Sequence, residues 1–264
     1  MNIITPKGIK DYQTCALLYK YRHKDELPEK INGRDLVSEK FENTIKQIVF
    51  YFFYKKQKDG LTPSYDSLLN RWQKIWFAED VSDYDIITEQ HETAYGNTAS
   101  LTTRAAALFR SFHKNYSDQE YIPISINDSV IVPIDKVINL KYNFDLILYK
   151  NKKYYVIKFL FNYKNNHHYM YETDFSAMKY AFSKRNPDRL KDTKFGYIDF
   201  AQPNVIFQPC TINNEDLSAL EFWSKEASQE EIFAPRRGLT WYCKKCPFDK
   251  PCSKWKGWKD VEKA

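Results

Sequence analysis

The stretch RRGLTWYCKKCPFDKPC, residues 236–252, spaces three cysteines as C-x2-C-x5-C, at Cys243, Cys246 and Cys252. Three thiolates are one ligand short of a four-ligand metal site. A fourth thiol stands near the other end of the chain, at Cys15 in the segment DYQTC. Four thiolates suit an iron–sulfur cluster or a structural zinc ion. If Cys15 joins the other three, one metal centre ties the two ends of the chain together.

The composition predicts a folded protein of the cytoplasm. Of the 264 residues, 43% are hydrophobic and 17% aromatic, which is enough for a packed core. No apolar leader opens the sequence and no apolar run is long enough to span a bilayer, so we expect no membrane partner. In a reducing cytoplasm, clustered cysteines indicate metal ligands rather than disulfides. The fifth cysteine, Cys210, is predicted to be a small buried hydrophobe.

The hydrophobic spacing changes character along the chain. Thr5 and Pro6 start a short helix that is predicted to carry Cys15. Helical periodicity then predicts a helical block over residues 36–116. From Tyr121 the pattern is β-rich. The predicted strands are 122–126, 130–134, 137–149, 154–161, 195–200 and 204–208, and two further helices are predicted at 175–183 and 216–227.

These elements predict one domain over residues 1–264, of the α/β class. A small mixed sheet flanked by helices forms an α/β core at 121–210, with the helical block 36–116 as an insertion. The cysteine-cluster segment at 228–258 closes the chain, and its thiols with Cys15 form a four-cysteine staple between the two ends.

The layout resembles a known family. The segments TPKGIKDYQTC at 5–15 and APRRG at 234–238, with the cysteine trio, resemble the RecB-type exonucleases that carry an iron–sulfur cluster. That family includes the CRISPR adaptation nucleases and the nuclease domain of AddB. The resemblance covers essentially the whole chain in its order of elements, and the cysteine layout is its specific part. It implies a PD-(D/E)xK nuclease-like core and a [4Fe–4S] cluster, with structural zinc as the alternative. The implied ligands are Cys15, Cys243, Cys246 and Cys252.

The nuclease motif of that family is largely replaced in this chain. The family pattern is an aspartate on one strand, (D/E)-x-K on the next, a histidine from the helical block and Gln-x-x-x-Tyr on the following helix. By position, Asp145 is the first aspartate and Tyr180 is the tyrosine. Lys158 stands at the carboxylate position and Leu160 at the lysine position. The histidine and glutamine positions hold Ser38 and Ser176.

These replacements predict a catalytically degenerate protein. A single carboxylate binds Mg2+ or Mn2+ weakly, and the charge of Lys158 repels a divalent cation, so we expect neither ion. Lys158 is free to pair with Asp145 instead. The alternative is an active metal-dependent exodeoxyribonuclease whose ligands have moved to other carboxylates, for which Glu39, Glu172 and Asp174 are the candidates.

Charge indicates the partner. The net charge is +6, and residues 236–259 hold eight Lys or Arg with one acid and interleaved aromatic residues, a composition that suits DNA. The predicted DNA-binding residues are Arg236, Arg237, Lys244, Lys245, Lys152 and Lys153. A protein partner in a DNA-processing or viral assembly is also expected, and a pure protein–protein module is a third interpretation. Abundant Asn, Lys, Ile and Tyr suggest an AT-rich genome, of a phage or a low-GC bacterium; a phage protein would act in the virion or the host cytoplasm.

Overall fold

The computed structural model describes residues 2–29, 33–78, 101–161, 169–235, 243 and 246–253. Within these residues one mixed sheet of six strands lies between helices, which confirms the predicted α/β class. Its strands are β1 (Asn2–Ile4), β2 (Ile122–Pro133), β3 (Ile138–Lys150), β4 (Lys153–Leu160), β5 (Thr193–Asp199) and β6 (Phe207–Pro209).

The sheet is built around β3 and β4. The order is β1-β3-β4-β5-β6, and β2 pairs with β3 as well. The pairs β2/β3, β3/β4 and β5/β6 are antiparallel, whereas β1/β3 and β4/β5 are parallel. β4 therefore has a neighbour on each side, as its nearly continuous apolar sequence predicts for a central strand.

The helices surround this sheet. They are α1 (Pro6–Thr14), α2 (Ala16–Tyr19), α3 (Gly33–Asp59), α4 (Tyr65–Trp76), α5 (Leu101–Tyr116), α6 (Tyr169–Arg185), α7 (Asn214–Gln229) and α8 (Asp249–Ser253). A π-helical turn follows α2 at Lys20–Lys24, and a 3-10 turn precedes β5 at Pro187–Asp192. Thr5 caps α1 as predicted, because its side chain accepts the Gly8 N–H at 3.1 Å. Among the described helices, none has the length and apolar character needed to cross a membrane.

Two hydrophobic cores lie on the two sides of the sheet. The first core packs α1, α6 and α7 against residues such as Phe144 and Leu160. The second core packs α3, α4 and α5 against residues such as Leu148 and Phe200. Trp72 and Trp76 belong to the second core, where their rings stack with a centroid distance of 5.4 Å.

The alternate residues of β3 change from the first core to the second core at Asp145. Before it, Tyr142 and Phe144 pack in the first core. After it, Leu146 and Leu148, which continue the same alternate positions, pack in the second core. A regular strand keeps alternate residues on one face, so the strand is irregular at Asp145. This irregularity places a polar residue at the centre of the sheet.

The structure differs from the sequence-based expectations at three places. The two short strands at 122–126 and 130–134 are one strand, β2, because Asn127 adopts φ 49° without ending the pairing to β3. The strand β1 was not predicted, since three residues are too few to show an alternation. Cys15 does not lie on a helix. Its backbone is extended, with φ −164° and ψ 120°, at the break between α1 and α2.

Candidate functional site

Asp145 and Lys158 face each other where the pairing of β3 with β4 ends. The last paired residues are Leu146 and Ile157, so Asp145 and Lys158 are the next positions along the two strands. The Asp145 carboxylate accepts the Phe159 N–H at 2.9 Å and lies 3.4 Å from the Lys158 ammonium. The Asp145 side chain is 9% exposed and that of Lys158 is 22% exposed. The pair is therefore largely enclosed by protein.

Lys158 carries a fixed positive charge. Burial by itself lowers the pKa of its ammonium, but the Asp145 carboxylate, Tyr142 and Asp174 raise it, and the net pKa lies above the usual range of lysine. The ammonium lies 5.8 Å from the centre of the Tyr142 ring. At neutral pH, Lys158 is thus a cation at the position that the resemblance assigns to a metal-binding carboxylate.

Asp174 joins this pair from α6. Its carboxylate forms a 2.6 Å ion pair with Lys10 of α1, and it also acts on the pKa of Lys158. We call Asp145, Lys158, Asp174 and Lys10 the Asp145 cluster. Its two carboxylates are matched by two ammonium groups, so the four residues carry no net formal charge. A divalent cation gains little from such a site, because it needs several uncompensated oxygen ligands.

The other two candidate relocated carboxylates lie on exposed positions. Glu39 is exposed on α3, and Glu172 is exposed on α6. Glu172 lines a separate cleft of about 130 Å³ between α1, α6 and α7. Of the three carboxylates proposed from the sequence, Asp174 is the one that the structure places at the Asp145 cluster.

Tyr142 belongs to the same region and was missed by the sequence analysis. Its side chain is 2% exposed, and its hydroxyl has no hydrogen-bond partner among the described residues. Burial raises the pKa of this phenol above its usual range, although the Lys158 charge opposes the effect. A tyrosine in a β-rich segment has no local signature, so nothing in the sequence distinguishes it from a core residue.

Tyr180 and Leu160 do not contribute polar groups to Asp145. The Tyr180 hydroxyl donates to the Pro133 carbonyl oxygen at 3.0 Å, at the end of β2. Burial and the Glu221 carboxylate raise the pKa of Tyr180 to about 12. Leu160 is 2% exposed and packs in the first core, at the position that the resemblance assigns to a lysine. Ser176 donates to the Glu172 carbonyl oxygen of its own helix, and Ser38 is half-buried on α3.

The two ends of the chain meet at the cysteine segment. The Tyr21 hydroxyl donates to the Pro251 carbonyl oxygen at 3.3 Å, and the Tyr21 and Phe248 rings lie 5.7 Å apart. Arg22 places its guanidinium 5.9 Å from the Phe248 ring. The same guanidinium holds Glu29 with two hydrogen bonds of 2.7 Å. These contacts bring the turn after α2 against the C-terminal segment.

The four predicted ligand cysteines gather at this junction. Burial raises the pKa of the Cys246 thiol, and the neighbouring Cys15 and Cys243 act in the same direction. Cys252 and Cys15 both act on the pKa of Tyr21, which burial raises first. All four thiols are half-buried and form no disulfide. The structure therefore brings both ends' thiols into one neighbourhood.

The gathered thiols do not form a finished metal site. Within the described part of the chain, no group of three or more His, Cys, Asp or Glu side chains has an arrangement that could hold a metal ion. The number and chemical type of the thiols fit a four-thiolate centre, but their present arrangement does not close around one. Cys210 lies apart, half-buried against the first core, and burial raises the pKa of its thiol to about 12.

The predicted DNA-binding residues divide into two groups. Lys152 and Lys153 are exposed at the turn between β3 and β4, where Lys152 adopts φ 60°. Arg236, Arg237, Lys244 and Lys245 lie outside the described residues. The structure thus places the first group, Lys152 and Lys153, on a surface turn.

Comparison with known proteins assigns the chain to no family. No protein-family model and no curated protein matches the sequence. Among solved structures, the chain is similar to the crystal structure of SSO0001, with a TM-score of 0.41 and 14% sequence identity. That alignment covers 96% of this chain and 86% of SSO0001.

Proposed function

We propose that the chain is a catalytically degenerate nuclease-fold protein of the RecB and AddB type, which binds DNA or scaffolds a DNA-processing or viral assembly. The observation that carries the proposal is the Lys158 ammonium, 3.4 Å from the Asp145 carboxylate. In the PD-(D/E)xK motif a carboxylate stands at this position and binds a divalent cation together with the aspartate. Here an internal ion pair takes the place of the metal.

Electrostatics supports the loss of catalysis. Two unit charges of the same sign 4 Å apart repel by about 4 kcal/mol at a protein surface, and a divalent ion doubles that repulsion. Lys158 stays protonated at neutral pH, so this cost applies wherever a cation approaches Asp145. Lys10 compensates Asp174 in the same way. Asp145 and Asp174 are therefore each paired with an ammonium group, and neither is free to act as an oxygen ligand for a divalent cation.

In this proposal the cysteine segment is a staple. Cys15, Cys243, Cys246 and Cys252 would hold a [4Fe–4S] cluster, or a zinc ion as the alternative. What supports the assignment is the meeting of thiols from both ends around Tyr21 and Phe248. The group would supply a covalent link between the ends, which the protein needs for shape rather than for cleavage.

DNA and a protein assembly are the proposed partners, within the cytoplasm. The net charge of +6 and the exposed Lys152 and Lys153 support binding to a polyanion. A purely protein–protein role remains the third interpretation, and it predicts that DNA binding is absent at every salt concentration.

The decisive experiment restores the motif. The double variant Lys158→Glu with Leu160→Lys should bind Mn2+ in a calorimetric titration, whereas the wild type should bind none and should cut neither single-stranded nor duplex DNA. Lys153→Glu is the matched control, since it reverses an exposed charge on the same strand and should leave metal binding absent. Metal-dependent cutting by the wild type that Asp145→Ala abolishes would overturn the proposal.

One observation favours the active alternative. Asp174 is the relocated carboxylate that lies within the Asp145 cluster, so it is the residue an active enzyme would use. If the wild type cuts DNA, Asp174→Asn should remove that activity and Glu39→Gln should not. A preparation that is inactive with both Mg2+ and Mn2+ contradicts this alternative.

A further inference from the structure

A groove of about 590 Å³ opens between α3, α4 and β2. It is separate from the residues of the Asp145 cluster, none of which lines it. One wall is a stripe of α3 with helical spacing, made of Gln47, Phe50, Tyr51, Tyr54 and Gln57. Arg71 and Ile75, one turn apart on α4, form a second wall, and Ile124 to Asn127 of β2 complete the groove.

The groove contains one exposed aromatic ring and two that are packed against neighbouring side chains. Tyr54 is 49% exposed, and tyrosine pairs an apolar ring with a polar hydroxyl that suits it to a binding surface. Tyr51 is half-buried, and the Arg71 guanidinium lies 4.2 Å from its ring centre. Phe50 stacks on Phe159 of the sheet at 5.7 Å, which anchors the wall to the second core. The aromatic wall is therefore backed by rigid structure.

The charge of the groove has one sign. Arg71 is the charged residue among those that line it, and no carboxylate of the described residues pairs with Arg71. Lys58 lies 5.7 Å from the Tyr54 ring and adds a cation at one end. The exposed amides of Gln47 and Asn127 offer both donors and acceptors, whereas the Gln57 amide already donates to the Pro123 carbonyl oxygen at 3.0 Å. Aromatic faces, amide groups and a cation without acids suit a nucleobase with its phosphate.

We infer that this groove binds a short stretch of single-stranded nucleic acid, with a base stacked on the exposed Tyr54 ring and a phosphate held by Arg71, which lies over the Tyr51 ring. The inference rests on the proposed nucleic-acid role and adds its strand type and its surface. The α3 stripe from Gln47 to Gln57 is about 15 Å long, so the groove holds about two nucleotides. A duplex does not fit, because its bases are stacked on each other and cannot reach the rings.

The test measures binding of a labelled twelve-nucleotide oligothymidine by fluorescence anisotropy at two salt concentrations. Tyr54→Ala and Arg71→Gln should each weaken binding about tenfold, and Tyr54→Phe should restore it. Phe222→Ala and Lys74→Gln are matched controls. Phe222 is an exposed ring on α7, and Lys74 is an exposed cation of α4 that does not line the groove. Both controls should bind as the wild type does.

Two further ligands separate base stacking from charge. An abasic oligonucleotide of equal length should bind more weakly than oligothymidine if the rings hold bases, and oligouridine tests whether the strand is DNA or RNA. Equal binding of the abasic strand, or equal losses in the groove and control variants, overturns the inference. If binding instead depends on Lys152 and Lys153 alone, the proposed DNA role is supported and the inference about the groove is wrong. If neither single strand nor duplex binds, the DNA role itself fails.

Discussion

At the scale of the residue, the ion pair between Asp145 and Lys158 is the observation on which the proposed loss of catalysis rests. The Lys158 ammonium faces a carboxylate that is 9% exposed and also accepts a backbone N–H. The sequence analysis predicted the pairing, because the two residues stand at corresponding positions of adjacent strands. It did not predict that Asp174 and Lys10 complete the cluster. Those contacts depend on how α1 and α6 pack on the sheet, which no local pattern encodes.

The ion pair makes a prediction for stability. Lys158→Met removes the partner of a largely buried carboxylate, and such changes cost about 3 kcal/mol. We expect the free energy of unfolding, measured by urea denaturation at pH 7, to fall by about that amount. The pair's contribution should persist across neutral pH. The pKa of Lys158 is raised in the folded protein, so this stability is lost only as the pH rises above the usual range of lysine.

A double variant provides the control for this prediction. Asp145→Asn combined with Lys158→Met removes both charges, so no uncompensated charge stays buried. The double variant should be more stable than Lys158→Met alone. If the two variants are equally unstable, the loss comes from the packing of the lysine stem rather than from the charge of Asp145.

Asp199 gives a second prediction at this scale. Its effect on the free energy of unfolding should change with pH in the opposite direction to that of a carboxyl group whose pKa is lowered by folding. Burial raises its pKa from 3.8 to about 6, although the Ala201 N–H, Gln202 and Arg104 oppose the shift. The folded state therefore binds the proton more tightly, and the stability from this group is present below pH 4 and lost as the pH rises through 6. The loss amounts to about 3 kcal/mol at pH 7.

Asp199→Asn should remove this pH dependence. Relative to the wild type, the variant should gain about 3 kcal/mol of unfolding free energy between pH 4 and pH 7. Comparing the two proteins at each pH cancels the effect of carboxyls whose pKa is lowered, such as those of Asp11 and Glu29. A difference that stays constant with pH contradicts the raised pKa.

At the scale of the element, hydrophobic periodicity predicts the long helices well, but it does not predict short strands that are defined by pairing with distant residues. The end of α5 at Tyr116 agrees with the end of the predicted helical block. The sequence does not predict β1, because its three residues become a strand only by parallel pairing with Ile138–Leu140, far away in the sequence. β2 was divided in two because its polar centre, around Asn127, resembles a turn. In the structure β3 holds that centre in line through pairs on both sides.

The β5–β6 pairing depends on a residue without a side chain. A Cβ at Gly196 would lie 2.2 Å from the Gln208 carbonyl oxygen and 2.6 Å from the Phe207 ring. Gly196→Ala should therefore cost about 3 kcal/mol or more and should lower the hydrogen-exchange protection of β6. Gly60→Ala is the control. Gly60 has φ 66° with no atom within 4 Å of the added Cβ, so its variant should lose about 1 kcal/mol without affecting β6.

At the scale of the whole molecule, the chain ends are held by two kinds of contact. Tyr21 and Arg22 pack on Phe248, and the thiols of both ends lie nearby. The sequence analysis expected Cys15 to join the C-terminal trio as a metal ligand, since the spacing leaves one ligand missing, and that metal centre stays a prediction. It did not predict the extended backbone at Cys15. That conformation interrupts two helices and so places the thiol by a feature that helical periodicity cannot show.

The staple can be tested with two cysteines of the same chain. Protein purified without oxygen should contain a metal centre, shown by an absorption band near 400 nm for a [4Fe–4S] cluster, or by zinc in elemental analysis. Cys252→Ser should lose that centre, and a loss of about 3 kcal/mol should lower the melting temperature by about 6 to 12 °C. Cys210→Ser should keep both, because Cys210 is not one of the four predicted ligands and lies just after β6, where its N–H donates to the Phe195 carbonyl oxygen at 3.0 Å. Equal metal content in the two variants would place the metal elsewhere, and a metal-free wild type would leave the ends joined by the contacts of Tyr21, Arg22 and Phe248 alone.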